Sequence, residues 1–349
     1  MNNKKMITVL VTGSGGGVGQ GIIKSLKLIS DLKIKIISAD MSPLAAGVYS
    51  GDVSVIIPSA SSVTYFDSLI QIINEEKVDY YFPGTDVELL FCAEQKANIE
   101  ASCNVKVVIS PLEAIKISDD KFKTMEFLKY NGFNYPETIL AEQCSQSSFK
   151  YPVIVKPAIG CRSIGVGIAY SEEEVLKRIS KESGLVVQEL IGDDSTEFTC
   201  TIVIVNDFVS DVVILRRDLR SGDTFRAEPI SNKAISDYVK SVAIKLGIYG
   251  SCNFQLRLDA NQQPKIFEIN CRFSGTTPFC AQLGLNPVEY YLKSDLNITY
   301  DFKIDFNVYI LRYWSEVLVN KEDMDMLAEN KKITPKVLAN APLYSSEGF

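Results

Sequence analysis

The chain has 349 residues, 46% hydrophobic and 23% charged, with a net charge of −7 and a pI near 5.0. This is a globular composition with length enough for two or three cores. Its acidity speaks against a nucleic-acid partner held by broad phosphate neutralisation, although a local basic groove remains compatible with it. The apolar run Met6–Val11 is too short for a signal peptide and ends in glycines, and no 18-residue apolar span occurs, so no membrane partner and a cytoplasmic location are expected. Histidine is absent and the eight cysteines show no C-x-x-C spacing. Histidine-based nucleophilic triads and His-ligated metal sites are thereby excluded, and the cysteines read as reduced, mostly buried thiols.

In chain order, Ile7–Val11 is a short apolar strand followed by T-G-S-G-G-G-V-G-Q-G and a helical pattern of Ile22, Ile23, Leu26, Leu28 and Ile29. Strand, glycine turn and helix open a doubly wound α/β domain. The glycines, Gly15 and Gly16 among them, allow an anion to approach the helix N-terminus. A second strand, Ile34–Ser38, leads to Asp40, where a dinucleotide fold would hold its ribose. The same glycines are equally read as a tight turn that lets the helix pack on its strand. Strand and helix segments then alternate to about Ser118, as one parallel sheet of about five strands. Within them P-G-T-D-V-E, Pro83–Glu88, reaches the carboxyl edge of the sheet, so Asp86 and Glu88 either meet a substrate amine or cap the next helix.

After Asp119 the rhythm changes. A capped helix, D-D-K-F-K-T-M-E-F-L-K-Y-N-G, precedes Y-P-V-I-V-K-P, which sets Lys156 on an apolar strand. An ammonium there needs a partner, and a phosphate suits it. The following loop, Gly160–Gly167, has small residues and free amides able to cover phosphates as a lid. A helix at Glu172–Lys181 leads to L-V-V-Q-E-L-I and an acidic loop ending at Glu197. An arginine-rich strand follows with Arg216, Arg217, Arg220 and Arg226; Arg226 is the candidate for a substrate carboxylate, against the reading of the whole group as a charged strand edge.

Ser251–Ser274 reads as two strands joined by Asn261–Pro264. Alternation places Asn253, Gln255, Arg257 and Asp259 on one face of the first strand, and Ile266, Glu268 and Asn270 on one face of the second. Pairing Leu258 with Lys265 would bring Gln255 opposite Glu268 and Asn253 opposite Asn270. Amide and carboxylate oxygens converging there suit Mg2+ shared with phosphates, with Arg272 as a fork for phosphate or carboxylate. The plain alternative is a hairpin with a wet polar face.

Lys121, Lys156, the glycine loop, Q-E-L-I, Glu197 and the Gln255, Glu268, Asn270, Arg272 set follow the order and approximate spacing of ATP-grasp enzymes. From Met6 to about Trp314 the chain resembles one synthetase half of the carbamoyl phosphate synthase large subunit. The resemblance implies an α/β and α+β fold: a Rossmann-like pre-ATP-grasp domain (1–118), a small lobe with the phosphate-covering loop (119–190), and a large lobe with the metal site and C-terminal tail (191–349). It implies that Lys121, Lys156, Gly160, Ser163 and Gly165 contact ATP phosphates, that Gln188, Glu189 and Leu190 line the adenine hinge, and that Glu197 accepts from the ribose. Gln255, Glu268 and Asn270 would hold Mg2+, with Mn2+ as a substitute, while Lys156 and Arg272 would serve catalysis. Gly15, Gly16, Asp86, Glu88, Arg226 and Arg272 would meet the substrate.

Two departures stand out. Arg162 lies in a loop usually richer in glycine, and Arg220 falls near a position where synthase-like proteins carry a histidine. The implied activity is a stand-alone ADP-forming carboxylate–amine ligase acting on small-molecule carboxylate and amine substrates, with a homodimer allowed. An NAD(P)-dependent oxidoreductase and a non-catalytic ATP-binding protein are the alternatives.

Overall fold

The computed structural model describes residues 6–146, 149–160, 164–313 and 315–335. Its first sheet is built from β1 (Ile7–Val11), β2 (Ile34–Asp40), β3 (Val53–Ile56), β4 (Tyr80–Phe82) and β5 (Lys106–Val107), all parallel, in the order β3-β2-β1-β4-β5. Helices α1 (Gly17–Lys27), α2 (Tyr65–Glu76) and α3 (Asp86–Ser102) are the crossovers. The apolar positions expected for α1 hold, since Ile22, Ile23 and Leu26 are buried. The strand order reverses between β1 and β4, which is where a parallel sheet normally receives a ligand. Here the two loops leaving that point are pressed together: a Cβ on Gly13 would lie 2.0 Å from Thr85 Cγ2, and one on Gly84 would lie 2.1 Å from the Thr12 carbonyl.

Helices α4 (Leu112–Asp119) and α5 (Lys121–Tyr130) lead into the small lobe. The break between them is made by Asp120, whose carboxylate accepts from the Phe122 and Lys123 amides at 2.9 and 3.3 Å, a side-chain cap on helix donors that lack partners of their own. A four-stranded antiparallel sheet follows, from β6 (Thr138–Leu140), β7 (Val153–Pro157), β8 (Gly167–Ala169) and β9 (Leu185–Glu189) in the order β6-β9-β7-β8, backed by α6 (Glu172–Ile179).

The large lobe is a seven-stranded sheet: β10 (Glu197–Val205), β11 (Phe208–Val209), β12 (Val213–Arg220), β13 (Asp223–Ile230), β14 (Gly250–Leu258), β15 (Pro264–Asn270) and β16 (Ile310–Leu311), in the order β15-β14-β10-β12-β13-β16 with β11 beside β10. Even-numbered residues of β10 and β14, including Cys200, Ile202, Phe254 and Leu256, pack with α7 (Lys233–Leu246) in the main core. On the odd-numbered face Glu197, Gln255 and Arg257 line a cavity, while Val203 and Val205 pack in a second core. Helices α8 (Thr277–Gln282) and α9 (Pro287–Asp295) pack against α1. Phe82, Phe273, Tyr291, Tyr80 and Tyr249 interlock at 5.4–6.2 Å between ring centres, joining the first domain to the large lobe.

A polar helix near the end, α10 (Lys321–Asn330), is followed by a strand, β17 (Lys332–Ile333), that leaves the large lobe altogether. It pairs antiparallel with β3, making the first sheet six-stranded. The seven described cysteines are buried and unbridged. Among the described residues no helix is long and apolar enough to cross a membrane.

Candidate active site

A cavity of about 210 Å³ lies between the small and large lobes, lined by Lys121, Lys156, Gly160, Gln188, Glu189, Leu190, Glu197, Gln255 and Glu268 among others. On the small-lobe side β7 carries Lys156, fully buried, whose ammonium donates to Gln188 Oε1 at 2.8 Å and to the Phe267 carbonyl at 3.3 Å. Gln188 is itself oriented by a 2.9 Å bond to Thr138 on the neighbouring strand. Burial pushes the Lys156 ammonium down to about 7, against the opposing pull of Glu268. Lys121, at the start of α5, bonds the Gly160 carbonyl at 2.8 Å and so ties the helix to the base of the β7–β8 loop. Arg178 donates to the Val155 carbonyl on β7 at 3.0 Å and to the Gly165 carbonyl at the other end of that loop. Ser163 and Arg162 lie outside the described residues.

On the large-lobe side the hairpin brings its donors together by a different route from the expected one. Leu258 pairs with Pro264, not Lys265, and the register shifts by one between Leu256 and Gln255, so that Gln255 still meets Glu268 and Asn253 meets Asn270. The residue passed over is Phe267. A bulge leaves its extra residue outside the ladder, and the Phe267 carbonyl is the one that receives Lys156. Glu268 Oε1 accepts from Asn270 Nδ2 at 2.9 Å and Gln255 Nε2 at 3.2 Å. The two amide oxygens accept in turn from arginines: Arg217 Nη2 to Gln255 Oε1 at 2.7 Å, and Arg272 Nη2 to Asn270 Oδ1 at 2.9 Å.

Arg217 continues the chain to Glu197, at 2.8 and 3.1 Å on one carboxylate oxygen, while Arg257 takes the other at 2.7 and 3.0 Å. Burial pushes the Glu197 carboxyl up, but the two guanidinium groups outweigh it and hold it below the usual carboxylate range. A ribose hydroxyl arriving there would meet a carboxylate already bonded on both oxygens. Sequence alone assigns neither arginine this role. Arg257 was legible, since alternation puts it beside Gln255. Arg217 required the β10–β12 register, in which Phe198 faces Arg216.

The residues proposed to meet substrate separate. Arg272 bonds Asp86 across the domain boundary. Glu88 does not reach the cavity: buried, it accepts from Thr12, Tyr65 and Tyr81 hydroxyls at 2.7, 2.6 and 3.1 Å and from the Gly84 and Thr85 amides at 2.7 and 2.9 Å, which completes the capping of α3. Arg226 is turned away by the pleat. It pairs with Asp218, and Arg216, Asp218 and Glu228 form ion pairs on the face opposite Arg217. There Arg226 borders a separate cavity with Tyr309 and Leu311. Gly15 donates its amide to Asp40 at 2.7 Å, so the acid positioned for a dinucleotide ribose holds the glycine turn itself.

A Rossmann-like first domain followed by two lobes that close a cavity lined by Lys121, Lys156, Glu197, Gln255 and Glu268 has the layout of a nucleotide-binding protein. Residues 118–276 match the family described as the ATP-grasp domain, and residues 9–108 match the PylC-like N-terminal domain. The chain thus carries an ATP-grasp domain over residues 118–276.

Among curated relatives it is 23% identical over 318 residues to the arginine-specific carbamoyl phosphate synthase large chain of Schizosaccharomyces pombe, and 27% identical over 323 residues to the carbamoyl phosphate synthase large chain of Clostridium beijerinckii. These matches cover 82% of this chain but 27% and 28% of theirs, so it spans about a quarter of their length. Its fold is similar to that of N5-carboxyaminoimidazole synthetase from Staphylococcus aureus complexed with ADP (TM-score 0.69, 16% identity, 94% of this chain and 87% of that one). It is also similar to the L-amino acid ligase of Bacillus licheniformis (0.63, 18%, 85% and 75%).

Proposed function

We propose that this chain is an ADP-forming ligase that activates a carboxylate with ATP and joins it to an amine. The observation that carries the reading is Lys156: a fully buried ammonium that donates to two neutral oxygens, inside a cavity whose far wall is Glu268. Such a group is stabilised by an arriving phosphate. In the reaction, a carboxylate oxygen forms a bond to the γ-phosphorus, and ADP leaves with the electron pair of the broken P–O bond. The amine then bonds to the acyl carbon, phosphate departs with the C–O pair, and the surplus amine proton passes to solvent. Lys156 and Lys121 would hold phosphate oxygens, and Arg272 the acyl phosphate, so that catalysis is positioning and charge neutralisation, which requires no histidine.

The donor types suit Mg2+ once the Gln255 and Asn270 amide oxygens exchange Arg217 and Arg272 for the ion. Among the described residues no three acidic, cysteine or histidine side chains cluster as a self-sufficient cage, and one carboxylate flanked by two amides leaves most ligand positions to phosphates and water, as Mg2+ prefers. Glu268, Asn270 and Gln255 would hold the ion, which would neutralise phosphate charge; the same oxygen donors accept Mn2+. The glycine turn bound by Asp40 favours a structural use of that motif over a dinucleotide site.

Calorimetric titration tests this directly: ATP-Mg is expected to bind and NADH not, and NADH binding without ATP binding overturns the reading. In Glu268→Ala, ATP turnover is expected to fall on the order of 10²-fold or more with unchanged circular dichroism, as for loss of an electrostatic stabiliser. Near-normal turnover in that variant removes Glu268 from the metal site.

A further inference from the structure

One ion pair links the first domain to the segment that follows the metal-bearing strand. Asp86 is the first residue of α3 and reaches across to Arg272, two residues beyond Asn270. Both are held in place independently of each other. Glu88 fastens the loop before Asp86 through the Gly84 and Thr85 amides. Arg272 is oriented by its own segment, through Asn270 Oδ1 at 2.9 Å and the Phe273 carbonyl at 3.1 Å. The Asp86 side chain is 36% exposed and that of Arg272 12%, so a small molecule can reach the pair from the Asp86 side.

We propose that the Asp86–Arg272 pair recognises a zwitterionic α-amino acid, with Arg272 taking the carboxylate to be activated and Asp86 the α-ammonium. This rests on the ligase reading above and names its carboxylate substrate. Opposite charges in contact on the protein are complementary to opposite charges one carbon apart on the ligand, and each group then exchanges one ion-pair partner for another. A ligand with its amine further along the chain cannot satisfy both without separating the pair. A carboxylate without an amine brings a second negative charge against Asp86, which is a repulsive element of specificity. Held against Asp86, the α-amine keeps its proton and its lone pair is unavailable, so this amine is not the nucleophile that displaces phosphate. A second amine is.

The experiment uses the whole chain with ATP-Mg and hydroxylamine, which traps an acyl phosphate as a hydroxamate whatever the natural amine is. One reaction set contains the common L-α-amino acids singly, and a matched set their deamino carboxylates. Hydroxamate and ADP are expected from one or more amino acids, with the matched deamino acid poorer on the order of tenfold or more, the scale of one lost hydrogen bond to a charged group. In the isosteric Asp86→Asn, KM for the amino acid rises while the preference over the deamino acid collapses, a change that a merely structural pair does not produce.

Equal use of both sets by the unmodified chain overturns the proposal, as does an Asp86→Asn defect that lowers both in proportion. Product from neither set, with normal ATP-Mg binding, overturns the amino-acid assignment and leaves the ligase reading standing. Failure to bind ATP-Mg removes both.

Discussion

At the scale of single residues, Lys156 has the most direct solution consequence. With the ammonium held down to about 7 by burial, most of it is neutral at pH 8 in the free protein. Phosphate contact favours the charged form and raises its pKa. ATP-Mg binding at pH 8 is therefore expected to take up protons, and affinity to fall as pH rises above about 7. Titrations in buffers of different ionisation enthalpy measure the uptake. Equal apparent enthalpies in all buffers at pH 8 would remove Lys156 from the phosphate site. This residue was legible because a lysine in an apolar strand conflicts with its own surroundings, and such conflicts mark function. Arg226 was misplaced because composition shows a cluster of arginines but not which side of the pleat each one takes. Arg217 and Arg226 have the same chemistry, and only the strand register separates the one bonded to Glu197 from the one facing away.

At the scale of elements, the β14–β15 hairpin shows how a local irregularity carries a site. Alternation assigns Gln255, Glu268 and Asn270 to strand faces, and pairing Leu258 with Lys265 sets Gln255 opposite Glu268; that pairing is off by one, and the bulge at Phe267 absorbs the difference and keeps them opposite. A bulge depends on how the strand meets its neighbours, so no short stretch of sequence announces it. The β7–β8 hairpin has a comparable dependence, on Arg178 from α6, which ties the strand to the loop end at Gly165. Hydrogen bonds to a charged donor contribute roughly 1.5–3 kcal/mol each. Arg178→Ala is expected to weaken ATP-Mg binding about tenfold and to speed proteolysis in the loop, and ATP-Mg is expected to slow that cleavage in the unmodified chain. Cleavage rates indifferent to both changes would identify the hairpin as rigid scaffold.

At the scale of the whole molecule, the feature that periodicity did not reveal is the return of the chain to its beginning. β17 is two residues long, too short to carry a strand signature, yet it closes the β3 edge. Lys332 pairs with Glu75 and Glu76 at 2.9 and 2.8 Å, and Leu327 of α10 is buried against Val48 and Tyr49. Replacing a fully buried leucine by alanine costs about 2–5 kcal/mol. Leu327→Ala is expected to lower the thermal midpoint and to promote aggregation, while ATP-Mg affinity per folded molecule stays unchanged, because the cavity lies elsewhere. A loss of affinity equal to the loss of stability would show that the clasp shapes the site.

The same closure bears on how the protein is made. A ribosome delivers the N-terminal sheet first and its last edge strand some 225 residues later, at roughly 5–20 residues per second. For about 10–45 s, on that estimate, the nascent first domain presents β3, V-S-V-I, as an open apolar template. Neighbouring chains on one messenger carry the same template, so crowding during synthesis, rather than any weakness of the finished fold, is where this protein is most exposed to mispairing.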